Sequence, residues 1–286
     1  MKFYLFLAVV LGLGFPFRAG SQQPLGGEVR LLVREDDMGS FHAANLACIE
    51  CYTNGIARSV ELMVNGPWFP EAVKLLRENP GLDVGVHLVL TSEWESLKWG
   101  PKTWVPGLVD SNGFFFPMVW RNSQFPLHTS IQEANWQLPD IEKELRAQIE
   151  IALRNVPRIT HLGGHMGFEG LDVRIRDLVE RLRREYRLQP GEFKTPIKYF
   201  PGWGRERSTG GRITAFINNL IQLKPGTYLF IEHPAQATAE LESVGHKSYE
   251  NVRDDRDAVR QVYTSPEVKE AIRKLNIKLI SYAELR

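Results

Sequence analysis

Two adjacent carboxylates, Asp36 and Asp37, follow the apolar run Val29-Arg30-Leu31-Leu32-Val33 and precede Met38-Gly39. A buried strand that breaks into a loop at paired acids is where open-topped α/β folds keep their reactive groups. Two further apolar segments carry histidine at or near their ends: Asp83-Val84-Gly85-Val86-His87-Leu88-Val89-Leu90, and Arg158-Ile159-Thr160-His161-Leu162-Gly163-Gly164-His165-Met166-Gly167. An Asp and two His from separate strands form a donor set for a divalent ion. Zinc and related ions accept neutral imidazole and carboxylate while leaving positions for water and substrate. The other carboxylate of the pair then lies within reach of a metal-bound water and is a candidate general base. Each fragment alone has a plainer reading, since Asp-Asp before Gly is a turn signal and a strand His is commonly a hydrogen-bonded core residue. Three such fragments in one chain shift the balance towards a site.

Strands and helices alternate around these residues. Phe41 to Tyr52 reads as a helix stopped by Asn54-Gly55, Ala57 to Val64 as a strand, and Pro70 to Glu78 as a helix leading to the His87 strand. The segment from Glu93 to Pro126 interrupts this rhythm with Trp94, Trp99, Trp104, Phe114 to Phe116 and Trp120. It is too aromatic for disorder and reads as a functional loop. Pro139 to Arg154 places Ile141, Leu145, Ile149 and Leu153 on one helical stripe, the pattern of core packing. The His161 strand, a helix over Leu171 to Tyr186, a strand over Thr227 to Pro234 that brings His233 to its end, and a final unit of helix (Ser265 to Leu275) and strand (Ile277 to Tyr282) complete the pattern. Repeated βα units with reactive residues at strand ends predict an α/β barrel-like fold.

With 286 residues, 43% hydrophobic and 24% charged, the chain is long enough for one large α/β domain, and no repeat or low-complexity stretch divides it. Thirty-five basic residues against 34 acidic ones give a net charge of +1, which offers no long-range attraction to nucleic acid or an anionic membrane. The run Arg181 to Glu185 reads as a solvated helix face. Met1-Lys2-Phe3, the apolar stretch Tyr4 to Phe17 and the small, polar exit Arg18 to Gln23 have the form of a secretory signal. The expected organisation is therefore a leader over residues 1–20, cleaved near Ala19 to Ser21, and a single catalytic domain over 21–286, exported to the periplasm or secreted. The apolar stretch is shorter than the roughly 20 residues of a membrane span, so no stable insertion is expected after cleavage. Cys48 and Cys51 lie mid-helix, where they read as small buried hydrophobes rather than a redox pair.

In their order along the chain these motifs resemble the YdjC-like carbohydrate deacetylases, the family that includes chitooligosaccharide deacetylases. Asp36-Asp37-Met38-Gly39 is similar to the family's Asp-Asp-Phe-Gly; Asn54 to Ser59 and Leu62 to Gly66 match its next helix end and strand. Val84 to Thr91 resembles its Gly-x-His-x-x-Leu-Thr, Thr160-His161-Leu162 with His165 its Thr-His-x-Asp-Ser-His, Glu232 to Ala235 its later His-Pro, and Ile280-Ser281-Tyr282 its end. The resemblance covers most of the chain beyond the leader. It implies a distorted seven-stranded (β/α) barrel, TIM-barrel-like, and one divalent ion, zinc or magnesium, held by Asp37, His87 and His165. Asp36 would be the base and His233 the acid. His161 matches a family position too, but inside its strand a packing or orienting role fits it better. The chain departs from the family at Gly163, where the pattern has Asp; at Gly167, where it has His; and at Arg34-Glu35, where it has Asn-Ala. Glu35 is a further carboxylate that could compensate.

The implied reaction is hydrolysis of an N-acetyl group on a sugar or oligosaccharide, with Trp68 and the aromatics of the 93–126 loop available as platforms for sugar faces. Two alternatives stand beside it: a non-catalytic glycan-binding protein on the same barrel, and a metal hydrolase of another amide or ester. A homodimer is compatible with the sequence and not required by it.

Overall fold

All pairings between the main strands are parallel, as expected when most strands are followed by a helix that returns the chain to the same end of the sheet. The computed structural model describes residues 27–190 and 197–285, so the expected leader over 1–20 lies outside the described residues. The strands are β1 (Val29–Met38), β2 (Ser59–Leu62), β3 (Asp83–Leu88), β4 (Ile159–Gly164), β5 (Gln189–Pro190), β6 (Ile197–Tyr199), β7 (Gly226–Glu232) and β8 (Lys278–Ile280). The helices are α1 (His42–Thr53), α2 (Phe69–Glu78), α3 (Leu138–Asn155), α4 (Val173–Glu185), α5 (Thr209–Ile221), α6 (Val252–Thr264) and α7 (Pro266–Lys274). Strand order is β5-β4-β3-β2-β1-β7-β6, and β8 lies along the first half of β1, pairing Arg30 to Leu32 with Lys278 to Ile280. Seven strands therefore follow one another around a curled sheet, an open and distorted (β/α) barrel as the sequence predicts. Among the described residues, no helix is long and apolar enough to cross a membrane.

Burial on both faces explains why the strands are nearly continuous apolar runs: the last eight residues of β1 and all of β2 and β3 are buried. Outside the sheet, Ile141, Leu145 and Ile149 of α3 are fully buried in the layer that α2, α3 and α4 form against β2, β3 and β4, while Leu153 packs partly buried at its edge. A second layer joins Leu31 and Val33 of β1 to α5, α6 and α7, and includes Cys51. Both cysteines are free and buried, as expected. A third cluster, Leu32, Leu229, Ile280 and Tyr282, gathers residues from β1, β7, β8 and the turn after β8.

β1 carries the irregularity that matters. Its pairing with β2 runs Glu35 to Val60 and then Met38 to Leu62, three steps against two, so one extra residue bulges from β1 at the paired acids. Asp37 takes a left-handed φ of 70°, a rare backbone state for a residue with a Cβ. The following turn is fixed by hydrogen bonds from Ser40 Oγ to the Asp37 carbonyl (2.6 Å) and from the Gly39 amide to Asn45 Oδ1 (2.7 Å). The first amides of α1 lack a local side-chain cap; Glu240, far along the chain, accepts from His42 N (3.1 Å) and Ala43 N (2.9 Å) instead.

This turn presses against the loop after β2, where a Cβ on Gly66 would lie 2.1 Å from the Gly39 carbonyl oxygen. Because the obstacle is backbone, the strain has no flexible side chain to absorb it. Gly66→Ala should destabilise the protein by about 1–3 kcal/mol, read as a lower denaturation midpoint in heat or urea; an unchanged midpoint would contradict this account of the turn.

Candidate metal centre at the barrel mouth

Alternation along a regular strand would send Asp36 and Asp37 to opposite faces, but the bulge brings both carboxylates to the same end of the barrel. There Asp37 Oδ1 lies 3.3 Å from His87 Nε2 and 3.2 Å from His165 Nδ1, and the two imidazole nitrogens are 3.3 Å apart. All three residues are buried. Among the described residues Asp37 Oδ1 has no hydrogen-bond partner, and an unpaired buried carboxylate oxygen facing two imidazole nitrogens fits a divalent cation. The other oxygen, Oδ2, is bound by Arg256 Nη2 at 2.8 Å. His165 follows β4 in a tight turn in which Met166 and Gly167 have φ of 53° and 64°. The structure thus gathers Asp37, His87 and His165, as expected, into a cluster able to chelate a metal ion.

Each imidazole is tied through its remote nitrogen to a buried carboxylate. His87 Nδ1 is hydrogen-bonded to Glu61 of β2, and His165 Nε2 lies 3.0 Å from Glu93 Oε2. Such partners fix the tautomer and the ring direction of a metal-binding histidine. Asp36 is gripped at both oxygens by Arg34, with Nε to Oδ1 at 2.7 Å and Nη2 to Oδ2 at 2.9 Å, and its Oδ2 is 3.9 Å from His87 Nε2. Asp36, Glu61 and His87 also converge, but Arg34 spans both carboxylates, reaching Glu61 Oε1 at 3.0 Å, so that space already holds a cation.

A cavity of about 290 Å³ opens over the cluster, lined by Asp37, His165, Glu93, Trp94, His233 and Arg256 among others. His233, one residue beyond β7, has a side chain 39% exposed at this opening. The aromatic residues divide. Trp94 and Trp99 are buried, Trp99 donating to the Thr91 carbonyl at 2.6 Å, whereas Trp68, Trp104 and Trp120 are exposed. His161 is buried within β4, stacked on Tyr282 with ring centroids 3.7 Å apart, the packing role expected for it. Glu35 does not compensate for anything at the mouth. It is fully buried beside Cys51 of α1, and burial holds its carboxyl well above the usual range despite the nearby Cys51 and Arg58.

Sequence reasoning overlooked Arg34, Glu61, Glu93 and Arg256 as site residues. Glu61 did leave a signal, a single carboxylate inside the apolar run Val60-Glu61-Leu62-Met63-Val64. Arg256 left none, because α6 itself was not foreseen.

Residues 30–274 match the family model described as YdjC-like protein, and the chain belongs to that family. It is 28% identical over 266 residues to carbohydrate deacetylase 1 of Listeria innocua, covering 90% of this chain and all of that protein. It is 27% identical over 274 residues to a carbohydrate deacetylase of Brevibacillus brevis, with the same coverage. Among solved structures, one from Enterococcus faecalis V583, proposed as a cellobiose-phosphate cleavage protein, superposes with a TM-score of 0.71 at 23% identity over 91% of this chain and 99% of that one. This last likeness supports the fold.

Without an ion, the carboxylates govern the histidines. Burial alone would lower the pKa of His87, but the charges of Asp36 and Glu61, with the close approach of Asp37 and the hydrogen bond to Glu61, push it up to about 10. Burial likewise opposes the charge on His165, and Glu93 and Asp37 push its pKa up to about 9. A group whose pKa is raised on folding contributes stability below its unfolded value, near 6.5 for histidine, and loses it as pH climbs through the folded value. The denaturation midpoint of chelator-treated protein should therefore fall between about pH 7 and pH 10, and ion binding at neutral pH should release protons. Midpoints that rise over that window would count against the geometry.

Proposed function

We propose that the protein is an exported, metal-dependent hydrolase that removes N-acetyl groups from sugars or oligosaccharides. The observation that carries this reading is the unpaired Asp37 Oδ1 between His87 Nε2 and His165 Nδ1, with a second acid, Asp36, beside it. The relatives described as carbohydrate deacetylases support the substrate class. The form of residues 1–23 supports export. Two imidazole nitrogens and one carboxylate oxygen are a donor set that suits zinc.

Asp37, His87 and His165 would hold the ion, which supplies an acidified water and a Lewis acid for the carbonyl oxygen. Asp36 accepts the proton of the attacking water. Burial opposes its charge, but Arg34, with His87 and His233, holds its pKa below the usual value, so the carboxylate is ionised at neutral pH. Arg34 also fixes both oxygens, leaving the base little rotational freedom. His233, at the open side of the cavity, donates a proton to the departing sugar nitrogen.

Elemental analysis of purified protein should find one divalent ion per chain, absent from Asp37→Ala and His87→Ala; full metal content in both variants would remove the ligand assignment. Asp36→Asn should keep the ion while turnover falls by roughly 10²–10⁴-fold. His233→Ala should also keep it and slow acetate release from N-acetylated oligosaccharides. Activity confined to acetyl esters or peptides would redirect the substrate class. A metal-loaded protein inert on the whole panel would instead be a glycan-binding protein.

A further inference from the structure

Two departures from the family pattern, Gly163 for Asp and Arg34 for Asn, meet at one side chain, Glu61. Gly163 is the β4 neighbour of His87 in the β3–β4 register. A Cβ built on Gly163 would fall 2.0 Å from Glu61 Oε1 and 2.3 Å from Oε2, the oxygen that binds His87 Nδ1. The carboxylate of Glu61 thus fills the place where a side chain at position 163 would begin. Its other oxygen is matched by Arg34 Nη1 at 3.0 Å, which supplies the cation this buried acid needs. Gly167 differs: a Cβ there would meet only the rim of Trp120, at 3.9 Å, and no polar group has moved into its space.

We propose that Glu61 is the positioning residue for His87, replacing from β2 the carboxylate that the family pattern carries on β4, with Gly163 as the vacated space and Arg34 as the counter-charge. The proposal rests on the reading of His87 as a metal ligand. It makes a prediction that a merely structural Glu61 would not: an aspartate returned to position 163 should take over the role once Glu61 is removed, and should be harmful while Glu61 is present.

The test compares wild type, Glu61→Ala, Gly163→Asp and the double variant, using zinc affinity by chelator competition and the thermal midpoint of metal-stripped protein. Glu61→Ala should weaken zinc binding by about 10–100-fold. Gly163→Asp alone should lower the metal-free midpoint sharply or fail to fold, whereas the same substitution on Glu61→Ala should cost far less and restore most of the lost zinc affinity. Wild-type affinity in Glu61→Ala, or a folded double variant no tighter than Glu61→Ala, would overturn the proposal. So would a Gly163→Asp penalty in midpoint that is the same with and without Glu61. If wild type binds no zinc, the metal-site reading fails on its own, and the metal-free midpoints still decide whether positions 61 and 163 compete for one space.

Discussion

One extra residue in β1 governs the barrel mouth. Without the bulge, Asp36 and Asp37 would alternate across the sheet, one of them lost among the helices where Glu35 now lies. With it, both acids face the same buried space, and the chain accepts a left-handed aspartate to achieve this. Backbone strain of that kind persists only where its surroundings over-determine it. Here the hydrogen bonds of Ser40 and Asn45 and the close approach of Gly39 to Gly66 supply the restraint.

Placing so many acids together requires cations. Asp36 has Arg34, Asp37 has Arg256, Glu61 shares Arg34 and His87, and Glu93 has His165. Removing one partner from a buried pair costs about 3–5 kcal/mol, so the network is demanding even though it adds little net stability. Its charge count also suits an ion. Two protonated imidazoles carry the same charge as one divalent cation, so exchanging two protons for the ion leaves the electrostatic balance of the mouth unchanged. The histidine pKa values, raised to about 10 and about 9, measure how strongly the acids call for that charge in either form.

What the sequence disclosed follows from how local each signal is. Strand-end Asp37, His87 and His165 stand out because a polar residue at the end of an apolar run is conspicuous, and α3 because its stripe repeats at helical spacing. β5 and β6 were missed because strands of two and three residues carry no periodicity, and α5 and α6 because glycines or charges dilute their patterns. The carboxylates behind the histidines were hidden for another reason: Glu61 is conspicuous in its apolar run but nothing local ties it to His87, and nothing local distinguishes Glu93 from a surface acid until β3 and the loop after it are brought together. The face occupied by Glu35 was equally hidden, since it depends on where the bulge falls.

The cap that Glu240 places on α1 divides the labour along the chain. Asp36, Asp37, His87 and His165 all precede Gly167; Arg34, Glu61 and Glu93 brace them from the same part of the chain, and Glu240, Arg256 and Tyr282 add supports from its last part. Bonds spanning 197 and 198 residues are non-local contacts of the kind that slow folding. A chain cut before Glu240 would keep those four reactive residues and lose all three of these supports.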